Sequence, residues 1–272
     1  MNSGKIIGIV LVQNEDLYIE RVLSNIGDFC DQIIIADHLS KDKTSQITQG
    51  FVWDGCEINY HRIKDPAESH ELISGYAGRP VWIFAVDGDE IYDPHGLRRL
   101  RKRIENGKFD NQWMILGNVL NCTEIDQARR VASGYLAPPC RSMTKLYNFK
   151  AISAWHGPCP ERLHGGSLKF KDGFDKSMRL ELYKRLTWEE SDFRCLHLCF
   201  MRRSSLENES AEQLKVRKNI SDKLSETLLR RLQSFCLSLI GRSQTSDWKI
   251  EKYTRGVFET KYIYSFISES SV

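Results

Sequence analysis

Three carboxylates crowd into four residues at Asp87-Gly88-Asp89-Glu90, directly after the apolar run Val81-Trp82-Ile83-Phe84-Ala85-Val86. Acids this close repel one another and resist burial, and a divalent cation offsets both costs. Hard carboxylate oxygens suit Mg2+ or Mn2+, which bind through one or two carboxylates plus substrate phosphates. The chemistry that follows is metal-assisted departure of a diphosphate. Gly88 would let the backbone turn tightly and let a phosphate approach. Alone, an Asp-x-Asp pattern reads equally well as a polar loop ahead of a helix cap, so the surrounding elements decide its weight. Both aspartates must also face a cleft rather than be consumed by internal ion pairs.

Those elements alternate. Residues 6–12 form a continuous β-branched run, as expected of a strand covered on both faces. The run is too short to span a membrane and lacks the shape of a signal peptide. Asn14 reads as the N-cap of a helix carrying Tyr18, Ile19, Val22, Leu23 and Ile26 at helical spacing, which Gly27 could end in the left-handed conformation. Further strands are expected at 33–36, ending at Asp37, at 57–63 and at 81–86. A helix capped by Asp93, with Pro94 in its first turn, follows, and its face of Arg98, Arg99, Arg101, Lys102 and Arg103 reads first as solvated. Strand, helix, strand at this rhythm implies an α/β fold with a mostly parallel sheet flanked by helices. Ligands in such sheets bind at the carboxyl ends of the strands. Two of those ends carry acids here, Asp37 and the Asp87 loop. Later strands are expected at 114–120, 143–149 and 194–201, and helices at 206–222 and 224–240.

The 272 residues suffice for one large α/β domain with an appendage: a catalytic part over 1–205 and a helical C-terminal extension over 206–272. The 39 basic and 36 acidic residues nearly balance, which does not point to nucleic acid as a partner. Eight scattered cysteines without an export signal suggest reduced thiols in a cytoplasm, so the sequons beginning at Asn121, Asn208 and Asn219 carry no weight.

Taken together, these residues resemble family 2 glycosyltransferases. Ile7-Gly8-Ile9-Val10-Leu11-Val12-Gln13-Asn14-Glu15 is similar to the opening strand of that family. Asp31-Gln32-Ile33-Ile34-Ile35-Ala36-Asp37-His38-Leu39-Ser40-Lys41-Asp42-Lys43-Thr44 is similar to its second strand and Asp-x-x-Ser-x-Asp-x-Thr loop, and Trp82 to Glu90 to the strand bearing its Asp-x-Asp. The match covers about the first 105 residues well and the next hundred loosely. The resemblance implies a GT-A fold, a nucleotide-sugar donor with UDP the first choice, Mn2+ or Mg2+, and inversion in a single displacement. By position, Asp37 would contact the nucleoside, Val12, Asn14 and Glu15 would line the nucleotide pocket, and Asp87 and Asp89 would hold the metal, Asp87 near the ribose or metal-bound water and Asp89 directly. His38-Leu39 departs from the family, which commonly has a small residue and Gly there.

An inverting transfer needs a general base, and Glu161 is the first choice, against a surface Glu paired with Arg162. His197, in Leu196-His197-Leu198 followed by Arg202-Arg203-Ser204, resembles the late histidine that some GT-A enzymes place on the metal. A satisfied core histidine is the plainer reading, and a Cys195/His197/Cys199 zinc site a sharper one, though one short strand cannot readily surround a tetrahedral ion. Arg141 and Lys145 could meet the diphosphate charge. Trp155 and Trp188 could stack on a sugar, but read better as core. The acceptor would be a glycan or a lipid-linked sugar. The helical stripe Leu224, Leu228, Leu232, Phe235 and Leu239 admits peripheral contact at the inner face of a membrane. A catalytically silent nucleotide-sugar-binding protein is the alternative. A nucleotidyltransferase or a nicotinamide enzyme would want a Gly-rich loop where Gln13-Asn14-Glu15 stands.

Overall fold

The computed structural model of the chain describes residues 4–137, 144–156, 166–207 and 253–266. Strand β1 (Lys5–Val12) is buried from Ile6 onward, and α1 (Ile19–Gly27) lays Ile19, Val22, Leu23 and Ile26 against the core. Asn14 does not cap α1. Its φ is 54°, and Tyr18 holds the N-cap position without a side-chain bond. Nor does Gly27 turn left-handed: a Cβ there would lie 2.5 Å from the Trp53 ring, so the residue is small because an indole packs over it.

The chain continues through β2 (Gln32–Asp37), α2 (Thr44–Gly50), β3 (Glu57–Arg62), α3 (Glu68–Ser74), β4 (Val81–Asp87), β5 (Glu90–Tyr92) and α4 (Pro94–Glu105). As expected, Asp93 caps α4, its Oδ1 accepting from the His95 and Gly96 N–H groups, with Pro94 at the first turn. The basic face of α4 is largely exposed, as expected, yet three of its arginines are also paired. Arg99 and Arg103 pair with Asp192 at 2.7 and 2.9 Å, and Arg101 with Asp31 at 2.7 Å, so the face clamps two connections onto the helix.

The apolar run at 114–120 divides into β6 (Met114–Leu116) and β7 (Asn118–Asp126), in different sheets. Gly117 makes the division possible, since a Cβ there would strike the Phe193 carbonyl. Then follow β8 (Val131–Ala137), β9 (Lys145–Asn148), β10 (Ile152–His156), β11 (Ser167–Phe170), β12 (Arg179–Glu181), β13 (Arg194–His197) and β14 (Val257–Tyr262). The main sheet runs β12-β6-β9-β4-β1-β2-β3, parallel through β4, β1, β2 and β3, with β9 antiparallel to both its neighbours. Strands β10 and β11 pair with each other, and the second sheet runs β14-β8-β7-β13-β5. One core cluster joins α1 and α4 to the inner strands (Val10, Phe84, Leu97, Phe193), and the other fills the opposite face of the main sheet around Ile9, Ile83 and Trp155. The α/β class with a mostly parallel sheet and flanking helices is therefore as expected.

The two C-terminal helices expected at 206–222 and 224–240 lie, beyond residue 207, outside the described residues. The described part of the C-terminal segment carries an unexpected strand: β14 pairs antiparallel with β8, placing part of the extension inside the second sheet.

Candidate active site

Parallel pairing brings the carboxyl ends of β1, β2 and β4 level with one another, with Val12 opposite Asp37 and Leu11 opposite Asp87. The loops leaving these ends are sewn together by the residues of the second motif. Ser40 Oγ accepts from the Asn14 N–H at 3.0 Å, Asn14 Oδ1 from the Lys41 N–H at 2.6 Å, and Thr44 Oγ1 from the Glu15 N–H at 2.7 Å. Asp42 Oδ1 accepts from the Thr44 N–H at 2.9 Å. Asp37 is fully buried, and its two oxygens accept from the Ser40 N–H at 2.9 Å and the Tyr60 hydroxyl at 2.8 Å. His38, where the resemblance breaks, is buried between Gln13 and the Lys64 carbonyl, and Leu39 takes a φ of 53° in the region that favours glycine.

At the end of β4 the three acids divide their tasks. Glu90 closes the turn: its Oε2 accepts from the Asp87 N–H at 3.1 Å and the Tyr92 hydroxyl at 2.6 Å. Asp87, half-buried, ends the strand. Gly88 packs against the β1 loop, since a Cβ there would strike the Glu15 carboxylate and approach Val12 Cγ1 to 2.8 Å. Asp89 is 1% exposed and ion-paired through Oδ2 with Arg203 Nη1, whose guanidinium also lies 3.6 Å from Glu15 Oε1. Burial works against the Arg203 charge, but the Asp89 and Glu15 carboxylates more than offset it and hold the guanidinium well above its ordinary value. The condition that the aspartates be clear of internal pairs thus fails for Asp89 in this conformation.

The other Asp89 oxygen, Oδ1, lies 3.5 Å from Nε2 of His197, a residue far along the chain at the end of β13. The buried Asn121 orients that ring. Its Oδ1 accepts from His197 Nδ1 at 2.8 Å, while its Nδ2 donates to the Tyr135 carbonyl at 3.3 Å, which sets the amide the right way round. Nδ1 therefore carries a proton and Nε2 is turned toward Asp89. The Tyr253 ring stands edge-on to His197 at 5.5 Å and is itself buried. A carboxylate oxygen and an oriented imidazole nitrogen at this separation suit a small divalent cation, and the amide behind the ring is the outer-shell support such ligands ordinarily have. Among the described residues, no group of three or more His, Cys, Asp or Glu converges on one point. The remaining positions around a cation would fall to water and donor oxygens.

The other sequence candidates fall as follows. Lys145 stands opposite Ala85, two residues from Asp87, at the start of β9. Arg141 and Glu161 lie outside the described residues. Trp155 packs among Tyr147, Phe149 and His70, and Trp188 stacks on Phe266 at 5.9 Å, so both are core. Cys195, His197 and Cys199 are all buried, but form no convergent ligand set. Asn121, which begins a sequon, is fully buried behind His197. Asn121, Arg203 and Tyr253 were not foreseen as site residues. The only sign of Arg203 was its place in Arg202-Arg203-Ser204, shortly after the candidate histidine.

Arg203 is held by a strap. The Leu17 N–H donates to the Arg203 carbonyl at 3.2 Å, the Ser204 hydroxyl to Asp42 Oδ2 at 2.5 Å, and both the N–H (2.7 Å) and the hydroxyl of Ser205 to Asp16. Burial pushes the Asp42 carboxyl up, but hydrogen bonds from Ser204, Thr44 and the Asp16 N–H outweigh it and leave it below its ordinary value. A depressed carboxylate adds stability that is fully present above its unfolded value, about 4, and is lost as the pH falls through the lowered folded value. Asp42→Asn is accordingly expected to flatten the acid limb of a plot of melting temperature against pH below about pH 4. An unchanged limb would show that the charge of Asp42 does not hold the strap.

No family model and no curated protein matches the chain. Among solved structures it is similar to glucosyl-3-phosphoglycerate synthase from Mycobacterium tuberculosis, in complex with Mn2+, UDP-glucose and phosphoglyceric acid, at 16% identity and a TM-score of 0.37. That likeness covers 55% of this chain and 58% of the synthase, little more than half of its length. Similarity extends to HddC from Yersinia pseudotuberculosis (11% identity, 65% of this chain and 96% of that one, TM-score 0.36). It extends also to 4-diphosphocytidyl-2C-methyl-D-erythritol synthase from Anaerococcus prevotii (15% identity, 56% and 74%, TM-score 0.33).

Proposed function

We propose that the chain is a metal-dependent, inverting glycosyltransferase that takes a sugar from a nucleotide diphosphate, UDP first, to a hydroxyl of a glycan or lipid-linked acceptor. The observation that carries this is the meeting of Asp89 and His197 at 3.5 Å, at the carboxyl ends of β4 and β13, with Asn121 fixing the ring. Both are candidate metal ligands from the sequence, Asp89 by its place in the Asp-x-Asp and His197 by its resemblance to a late histidine of GT-A enzymes. Asp89 and His197 would hold Mn2+ or Mg2+, which supplies charge neutralisation to a departing diphosphate. Asp87, beside them, would orient the ribose or a bound water. Asp37 and the backbone of Val12, Asn14 and Glu15 would form the nucleoside end of the pocket, and Lys145, with Arg141, would add positive charge. Glu161 is the proposed base that takes the acceptor hydroxyl proton. The catalytic part is proposed as 1–205 and the extension as 206–272, with β14 of the extension built into the second sheet. Cytoplasmic placement, with peripheral contact at the inner face of a membrane, goes with this reading; among the described residues no helix is long and apolar enough to cross one.

The grip of Arg203 on Asp89 favours one second reading: a catalytically silent nucleotide-sugar-binding protein in which Asp89 is structural. Thermal shift and calorimetry with UDP-, GDP- and dTDP-sugars, with and without Mn2+, separate the two. The enzyme is expected to bind one donor class only when Mn2+ is present and to hydrolyse it slowly without acceptor. Donor binding indifferent to Mn2+, with no hydrolysis, would establish the silent protein instead.

A further inference from the structure

Asp89 and His197 are almost fully buried, at 1% and 4% exposure, so an incoming cation must displace something. What stands there is a cation already. The Arg203 guanidinium holds Asp89 Oδ2 and lies 3.6 Å from Glu15 Oε1. It therefore neutralises the Asp89 carboxylate that a divalent ion at this end of β4 would also meet. Two positive groups cannot share one buried carboxylate without strong repulsion in a poorly screened interior.

The segment that delivers Arg203 is built to be attached rather than to be core. Leu198 donates its N–H to the Asp89 carbonyl at 2.9 Å, and Met201 turns the chain back with a bond to the Leu198 carbonyl at 2.9 Å. From there the strap leaves the second sheet. Its contacts are polar stitches to the loops after β1 and β2: Ser204 on Asp42, Ser205 on Asp16, and the Leu17 N–H on the Arg203 carbonyl. Glu207 closes it by accepting from the Arg203 N–H at 2.9 Å. Ser205 and Leu206 are exposed, Ser204 is fully buried, and Arg203 is the charged group the strap inserts, its side chain 11% exposed. The stitches at Ser205 are exposed, and parting them leaves the apolar core intact, so the cost of lifting the strap lies chiefly in separating Arg203 from Asp89.

We infer that Arg203 is the resident counter-ion of the site and that the strap over 202–207 is a latch which a divalent cation must lift: Arg203 and the metal compete for Asp89. This rests on the cation site proposed above. The guanidinium holds the Asp89 carboxylate in place while no cation is bound, and its withdrawal couples metal binding to opening of the strap over the nucleotide loops. Affinity for bare Mn2+ is thereby lowered.

The sign of the effect separates a latch from a merely structural ion pair, since a damaged fold weakens metal binding whereas loss of a competitor strengthens it. Mn2+ binding without nucleotide is measured by calorimetry for the wild-type chain, Arg203→Met, Asp16→Ala and Asp89→Asn, and hydrogen exchange at the 203–206 amides is followed with and without Mn2+. Arg203→Met is expected to bind Mn2+ about tenfold more tightly, within the usual range of a site-to-site coupling. Asp16→Ala cuts both Ser205 stitches at the surface, spares the core, and is expected to tighten binding in the same direction; wild-type amides over the strap are expected to exchange faster once Mn2+ is bound. If Asp89→Asn loses Mn2+ while Arg203→Met and Asp16→Ala bind it no more tightly than wild type, the latch is overturned and the cation site stands. If no variant binds Mn2+, Arg203→Met included, the cation site falls and the latch with it.

Discussion

Asp89→Ala is expected to lose Mn2+-dependent binding of a UDP-sugar and, at the same time, about 3–5 kcal/mol of stability. From the sequence alone, removal of an acid in a loop would be expected to spare the fold. The structure changes that expectation, because Asp89 is 1% exposed and its partner Arg203 is 11% exposed at the side chain. Deleting the carboxylate strands a guanidinium in the interior with only Glu15 nearby at 3.6 Å, and an uncompensated buried charge is what makes such truncations costly. The double variant Asp89→Ala/Arg203→Met removes both charges and is expected to regain most of the stability while donor binding stays absent. Thermal unfolding and calorimetry on the same samples decide it. A single variant as stable as wild type would deny the ion pair any energetic role, and one that still bound the UDP-sugar through Mn2+ would remove Asp89 as a ligand.

Asn121→Leu is expected to weaken Mn2+-dependent donor binding about 10–100-fold, the usual loss when the support behind a ligating histidine is removed. Asn121 touches neither donor nor cation in the proposed site; it is a positioning residue. Its carbonyl oxygen takes the His197 Nδ1 proton at 2.8 Å, and its amide is tied to the Tyr135 carbonyl at 3.3 Å, so the ring has one orientation. Leucine fills a similar volume but leaves the Nδ1–H group buried without an acceptor, worth a further 1–3 kcal/mol, roughly, in stability. Asn121→Asp retains an acceptor and is expected to recover much of the affinity at unchanged donor specificity. Recovery by Asp but not by Leu distinguishes orientation of His197 from simple packing. Equal affinity in all three proteins would remove His197 from the metal.

The half of the site on the main sheet was legible in the sequence because it follows from local rules. A β-branched run such as Ile6 to Val12 has no better use than a doubly covered strand, and consecutive parallel strands put their carboxyl ends at one edge. Asp37, Asp87 and Asp89 were thus placed together without any knowledge of the tertiary contacts. Even within this half, side-chain packing overruled local signals. Asn14, a good cap by type, went to Ser40 and Lys41, and Gly27 was needed for the Trp53 ring rather than for a left-handed turn.

The second sheet was not legible. Its order β14-β8-β7-β13-β5 joins strands that are mostly distant in the chain, three to nine residues long, whose alternation is broken where β7 shifts register between Cys122 and Glu124. Nothing in a window of ten residues says that Asn121 will face His197, and as a residue type it read as the start of a sequon. The same holds for Arg203, one of two adjacent arginines.

By itself, then, the sequence determined the parallel α/β frame and the kind of chemistry its strand ends could hold, because hydrophobic period and carboxylate type are properties of neighbouring residues. Only the tertiary structure decided which cation Asp89 meets. The Arg203 contact spans 114 residues and the Asn121–His197 bond 76, and such pairs are set by sheet register and loop closure rather than by any local preference.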